Sequence, residues 1–138
     1  MTLAVCIILV LLVDNDAYAA AAQLKIRVIW AHNFSNHVDS SLTKLIKSLG
    51  ELKYTGYELK TQTTLALKSN DTQKIKLQNG ALLKLTLLEY DNDTVRLEIE
   101  IPDLKFKTKV SIAKNATLAI GGPPYENGVL IIALSQKS

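Results

Sequence analysis

From Tyr54 to its C-terminus this 138-residue chain is written in twos, and the clearest stretch is its most restrictive. Val95, Leu97, Ile99 and Ile101 alternate with Arg96, Glu98 and Glu100; after Pro102-Asp103, Leu104, Phe106, Thr108 and Val110 alternate with Lys105, Lys107 and Lys109. Successive side chains of a strand point to opposite faces, so an apolar residue at every second position means a strand with one buried face. Pairing Ile101 with Leu104 predicts an antiparallel register that sets Glu100 opposite Lys105 and Glu98 opposite Lys107. Each exposed pair contributes a few tenths to about 1 kcal/mol, so burial of the apolar face holds the sheet. Lys105, Lys107 and Lys109 then read as its wet face, not as an anion-binding ladder.

The same period recurs on either side. Leu24, Ile26, Val28 and Trp30 alternate with Lys25 and Arg27. Tyr57, Leu59, Leu65 and Leu67 share a parity, which fits one long strand or a strand broken near Thr61-Gln62. Ser69-Asn70-Asp71 predicts a turn, Gln73 to Leu77 a short strand, Asn79-Gly80 a type I′ hairpin turn, and Leu82 to Tyr90 a further strand closed by Asp91-Asn92-Asp93. Thr117 to Ile120 ends at Gly121-Gly122-Pro123-Pro124, read as a stiff turn whose prolines, lacking N–H donors, exclude it from a central strand. Tyr125 to Gly128 continues that loop. Val129 to Leu134 is apolar without interruption, the pattern of a strand covered on both faces and central to the fold.

Only one segment of the chain after Ala20 has helical spacing. Val38, Leu42, Leu45, Ile46 and Leu49 fall on a single face, with Asn36 as expected N-cap, Asp39 three residues on in a near capping box, and Gly50 as C-terminal stop. The expected fold class is α+β: one helix packed on a mostly antiparallel sheet of about seven or eight strands, in a single domain over residues 20–138.

The N-terminal segment sets the expected location. The apolar run Leu3 to Val13 is too short to cross a bilayer core of about 30 Å as a helix, but it fits the h-region of a secretory signal, and Ala17-Tyr18-Ala19 fits a cleavage site. Residues 1–19 are read as a signal peptide cut between Ala19 and Ala20, which places the remainder in the periplasm or outside the cell. Met1-Thr2 supplies only the terminal amine as positive charge. Leu3-Ala4-Val5-Cys6 loosely matches a lipobox, but Cys6 precedes any h-region. Removal of this segment takes away the only cysteine, so neither a disulfide nor a Cys-ligated metal site can form. It also removes Asp14 and Asp16, leaving 11 acids against all 16 Lys and Arg, and raises the formal net charge from +3 to +5. The basic residues are dispersed, which reads as a solvated surface. Asn33, Asn70, Asn92 and Asn115 each open an Asn-x-Ser/Thr triplet in an expected loop; they read as turn residues, or as glycan acceptors in a eukaryotic source.

Catalytic signatures are sparse. His32, His37 and Asp39, gathered between the first strand and the helix, could hold a metal ion with water, but their spacing matches no metal motif, and capping and solvent exposure are the favoured account of them. No Gly-x-Ser-x-Gly elbow is present. Glu98 and Glu100 alternate on a face where lysines lower a general acid's pKa. Gly121-Gly122 precedes two prolines, not a helix, and so is no phosphate loop. Aromatic residues are not interleaved with basic ones, which argues against nucleic-acid stacking. No cofactor and no catalytic residue are expected.

One family resemblance emerges. Leu83-Lys84-Leu85-Thr86, Asp93-Thr94-Val95-Arg96-Leu97-Glu98-Ile99, Phe106-Lys107-Thr108-Lys109-Val110 and Asn115-Ala116-Thr117-Leu118-Ala119-Ile120-Gly121-Gly122 together resemble part of the C-terminal domain of bacterial secretins. There alternating strands lead through a Thr-containing strand to an apolar strand ending in Gly-Gly. The resemblance spans residues 83–122, with Pro123-Pro124 replacing the usual continuation. It implies a periplasmic component related to secretion or pilus assembly, without implying a pore.

The expected function is therefore that of an exported, non-enzymatic interaction or assembly module of the bacterial envelope. Its strand edges and the loop Gly121 to Gly128 would contact an envelope protein, with no nucleic acid and no membrane span after the signal. The alternative is a small-ligand or cell-wall-polymer binding module using Trp30, Tyr54, Tyr57 and Tyr125 as stacking faces. A metal-dependent enzyme built on His32, His37 and Asp39 is the third reading.

Overall fold

The computed structural model describes residues 21–49, 53–91 and 93–136. The expected signal segment 1–19, its cleavage bond between Ala19 and Ala20, and the helix stop at Gly50 lie outside the described residues. Eight strands are found among the described residues: β1 (Ala22–His32), β2 (Gly56–Leu67), β3 (Thr72–Lys76), β4 (Leu82–Asp91), β5 (Thr94–Ile101), β6 (Phe106–Ala113), β7 (Thr117–Tyr125) and β8 (Gly128–Gln136), with one α-helix, α1 (Thr43–Leu49). All strand neighbours are antiparallel.

The strands form two sheets of four, β2-β1-β8-β7 and β3-β4-β5-β6, which corrects the expectation of a single sheet. The reason lies in how many apolar faces each strand carries. β4 and β5 have one: Leu83, Leu85, Leu87, Leu97 and Ile99 are fully buried, while Lys84, Thr86, Glu98 and Glu100 on the other face stay partly exposed. β8 has two, so its sheet must be covered on both sides. Leu24, Ile26 and Val28 of β1 with Leu130, Ile132 and Leu134 of β8 join the β4 and β5 leucines and isoleucines in one core between the sheets. Ile29, Ala31, Ile131 and Ala133 point the other way and pack with Leu42, Leu45 and Tyr57 under α1. The first sheet is thus the middle layer of three. β8 lies between β1 and β7, as its uninterrupted apolar run requires.

A bulge explains the parity of β2. Val28 pairs with Thr61 but Ile29 pairs with Leu59, so Lys60 is an extra residue that reverses the alternation. Tyr57 and Leu59 therefore face the helix, whereas Leu65 and Leu67, of the same parity, belong to the inter-sheet core. The strand is continuous over 12 residues.

Several turns differ from expectation. The helical segment starts later than its apolar spacing implies, with a 3-10 turn over Ser40–Leu42 before α1. Its cap is Asp39, not Asn36. Val38 is held in a parallel bridge to Tyr57, where Tyr57 N–H donates to His37 O at 3.0 Å and Asp39 N–H to Tyr57 O at 2.9 Å, so residues 37–39 stay extended. Between β3 and β4, Gly80 alone of the Asn79-Gly80 pair has a positive φ, 90°, and its N–H donates to Leu77 O at 2.9 Å. This is a three-residue loop with a glycine bulge instead of type I′. Among the described residues, the turn with both central residues left-handed is Glu126-Asn127, at φ 47° and 61°, joining Tyr125 to its partner Gly128.

Gly121-Gly122-Pro123-Pro124 is part of β7, not a turn. β7 is an edge strand, where missing donors cost no ladder bond, and its register shifts between Gly121 and Pro124. At the β5–β6 hairpin Ile101 pairs with Phe106, because Pro102–Leu104 form a 3-10 turn and Lys105 closes it at φ 53°. Glu100 is therefore opposite Lys107 and Glu98 opposite Lys109, each two residues beyond the expected partner.

Candidate functional site

His32, His37 and Asp39 do not assemble into a metal centre. His32 is 1% exposed at the end of β1, where its Nδ1 accepts the Phe34 N–H at 3.1 Å. Its Nε2 lies 2.9 Å from Glu58 Oε2, yet the ring N–H is not aimed along that contact and makes no hydrogen bond. The ring packs over Gly56, its cross-strand partner, where a Cβ would collide with His32 Cε1. His37 is exposed. Asp39 Oδ1 accepts the Ser41 N–H at 3.3 Å and the Ser41 hydroxyl at 3.0 Å, and these bonds hold its carboxyl below the usual carboxylate range. Among the described residues no three His, Cys, Asp or Glu side chains gather.

The expected aromatic face is divided between two layers. Tyr57 is buried under α1, and that burial pushes its phenol above its ordinary pKa; Tyr54 packs beside it. Trp30 and Tyr125 meet at the far end of the inter-sheet core, edge to face at 6.2 Å, with the Trp30 indole N–H donating to Tyr125 O at 3.0 Å. Phe34, which sequence periodicity did not single out, joins them at 5.8 Å from Trp30 and is 65% exposed. Lys60, the bulge residue, carries its Nζ 5.0 Å from the Trp30 ring. A small hollow of about 140 Å³ between Asn33, Phe34 and Asn127 adjoins this end.

The four sheet edges are unequally guarded. β3 is five residues long and carries Lys74 and Lys76; β6 presents Lys107 and Lys109; β7 contains Pro123 and Pro124. Charges, prolines and shortness all discourage pairing with another chain. β2 has none of these over Thr61-Gln62-Thr63-Thr64-Leu65-Ala66, six consecutive residues without charge or proline on the outer edge of the first sheet. The Val38 bridge covers only its beginning, at Tyr57, and among the described residues no further strand pairs with that edge. Gln78 reaches it once, donating from Nε2 to Thr61 Oγ1 at 2.7 Å. The loop expected to assist, Gly121 to Gly128, is instead the β7 edge and a two-residue turn.

Arg27 is the residue whose place was least visible in the pattern. It alternates like any solvent-facing charge, but the helix shelters its end of the outer face and its Nε is cut off from water. Compared with protein-family models, with curated proteins and with solved structures, the chain matches none.

Proposed function

We propose that this is a non-enzymatic protein-contact module of the bacterial envelope that takes an extended segment of a partner protein along the open edge of β2. The observation that carries the reading is the contrast between that edge and the other three. A strand edge offers a row of backbone donors and acceptors to any chain able to lie beside it; β2 offers them over a long run free of charge, proline and glycine, whereas β7, also uncharged, ends its run in Gly121-Gly122-Pro123-Pro124 with a register shift. Of the side chains that could have formed a metal centre, Asp39 caps the helical segment and His32 turns its Nδ1 to the Phe34 N–H at the strand end. An exported location is supported by the Leu3 to Val13 run and Ala17-Tyr18-Ala19, and an assembly role by the secretin-like succession in residues 83–122.

The test is photo-crosslinking from a probe at Thr63 in cells, alongside the oligomeric state of the purified protein. A specific crosslinked envelope protein that disappears in Thr64→Lys/Ala66→Lys is the expected result. Both substituted positions are exposed, so the fold should persist. A monomer that crosslinks to nothing, or crosslinks indifferent to the two lysines, would overturn the reading.

A second reading, binding of a small ligand or cell-wall polymer, is favoured by the exposure of Phe34 beside Trp30 and Tyr125. It predicts thermal stabilisation by a glycan or peptidoglycan fragment that Phe34→Ala abolishes. A melting curve unmoved across such a panel rejects it.

A further inference from the structure

A cleft of about 710 Å³ opens where the helical segment meets the outer face of the first sheet, and its polar lining includes Arg27, Ser40, Thr43, Lys44, Lys47 and Thr117. Three of these are cations, and no acidic side chain lines the cleft among the described residues. None of the three has a carboxylate partner among the described residues, where the ion pairs are Arg96–Glu89 and Lys107–Glu98 and the remaining carboxylate contact is Glu58 with His32. The adjacent acid, Asp39, is turned to the Ser41 N–H and hydroxyl.

Arg27 gives the cluster its direction. It stands on β1 between Gln62 of β2 and Ala133 of β8, and the small Ala133 leaves room beside it. Its Nε is shielded from solvent yet hydrogen-bonded to nothing. A buried donor left unpaired costs free energy that a ligand oxygen would recover, and like charges held around one cleft repel until an anion enters. A guanidinium presents parallel N–H groups that match the oxygens of a tetrahedral oxyanion, while lysines add mobile point charges and hydroxyls add neutral donors. Three cations without a counter-charge suit a multiply charged group better than a single carboxylate.

We propose that this cleft is a phosphate-binding site, with Arg27 as the oriented donor and Lys44 and Lys47 closing over the bound group. The phosphate can be carried by a soluble ligand or by a lipid head group, and the same chemistry would hold either. Arg27 pairs with Gln62 of the β2 contact edge, but phosphate binding in the cleft and strand pairing along the edge are separate functions, and neither proposal needs the other.

The experiment is calorimetric titration of the purified protein with pyrophosphate, in parallel with co-sedimentation on phosphatidylglycerol and phosphatidylcholine vesicles. Lys44 and Lys47 are exposed, so Lys44→Gln/Lys47→Gln should fold even if Arg27→Gln does not. Lys74→Gln/Lys76→Gln on β3 removes the same charge elsewhere and is the control. Loss of a charge-assisted bond weakens binding roughly tenfold or more, so the cleft variant should lose pyrophosphate by at least that factor while the control stays near wild type. Binding confined to phosphatidylglycerol vesicles with the same variant pattern would assign the phosphate to lipid; pyrophosphate binding without vesicle binding would assign it to a soluble ligand. No binding to either probe, or equal losses in the cleft and control variants, would overturn the proposal.

Discussion

The indole N–H of Trp30 donates to the carbonyl oxygen of Tyr125 at 3.0 Å, tying the end of β1 to the turn between β7 and β8 across a sequence separation of 95 residues. The two rings also meet edge to face, and the His32 ring lies 4.1 Å from the indole, tilted by 36°. Trp30→Phe keeps an aromatic ring but removes the donor, leaving a partly buried carbonyl without its partner. A loss of about 1 kcal/mol is expected, since that is the net worth of a typical hydrogen bond. Urea unfolding followed by far-UV circular dichroism measures it; an unchanged midpoint would mean that solvent replaces the indole there.

The same corner makes two glycines of β7 and β8 unequal. A Cβ on Gly128 would collide with the Ala31 carbonyl oxygen and come within 3.0 Å of Trp30 Nε1, whereas a Cβ on Gly121 would meet nothing within 4 Å. Backbone cannot yield as a flexible side chain can, so Gly128→Ala is expected to cost about 2 kcal/mol or more and Gly121→Ala to stay within about 0.5 kcal/mol. Comparing their urea midpoints tests the packing directly.

Strand identity was legible wherever one face alone is apolar, because a period of two leaves β5 and β6 no other conformation. Register was less so. The hairpin at Pro102 is two residues longer than expected, yet an even shift returns every apolar side chain to the same face, so the core forms either way. Even the ion pair survives: Lys107 Nζ reaches Glu98 Oε1 at 3.7 Å diagonally, although Lys109 stands opposite Glu98. Charge pairing on a wet face is too weak and too long-armed to choose between such registers. The division into two sheets was present in the contrast between β4 and β8, but the number of apolar faces per strand had to be compared across the chain to see it. The bulge at Lys60 and the cleft around Arg27 had no local signal, since each arises from how separate elements meet.

Asp39 predicts a pH dependence. Its carboxyl is held below the ordinary value of 3.8 by the Ser41 backbone N–H and then by the Ser41 hydroxyl. A folded-state pKa below the unfolded one means that the charged form is favoured by folding, so the contribution is fully present above the ordinary value and is lost as pH falls through the lowered one. Asp39→Ala should therefore lower the melting temperature at pH 7, and the gap from wild type should narrow below about pH 4. A gap that stays constant down to pH 2 would show that the carboxylate is not what caps this segment.

The three-layer arrangement makes its own demand on Leu42. This residue precedes α1 in the 3-10 turn and is fully buried against Ile29, Ala31, Ile131 and Ala133, whereas Leu82 on β4 is 40% exposed. If the helical segment covers the first sheet as a true layer, truncating its anchor opens a cavity against strands that are themselves fixed by the second sheet and cannot collapse to fill it. Leu42→Ala should then cost about 2–4 kcal/mol, the range for a buried leucine in a rigid site. Leu82→Ala, the same deletion at an exposed position, should cost about 0.5 kcal/mol or less. A small loss at both positions in chemical unfolding would mean that the segment rests on the sheet without closing its outer core.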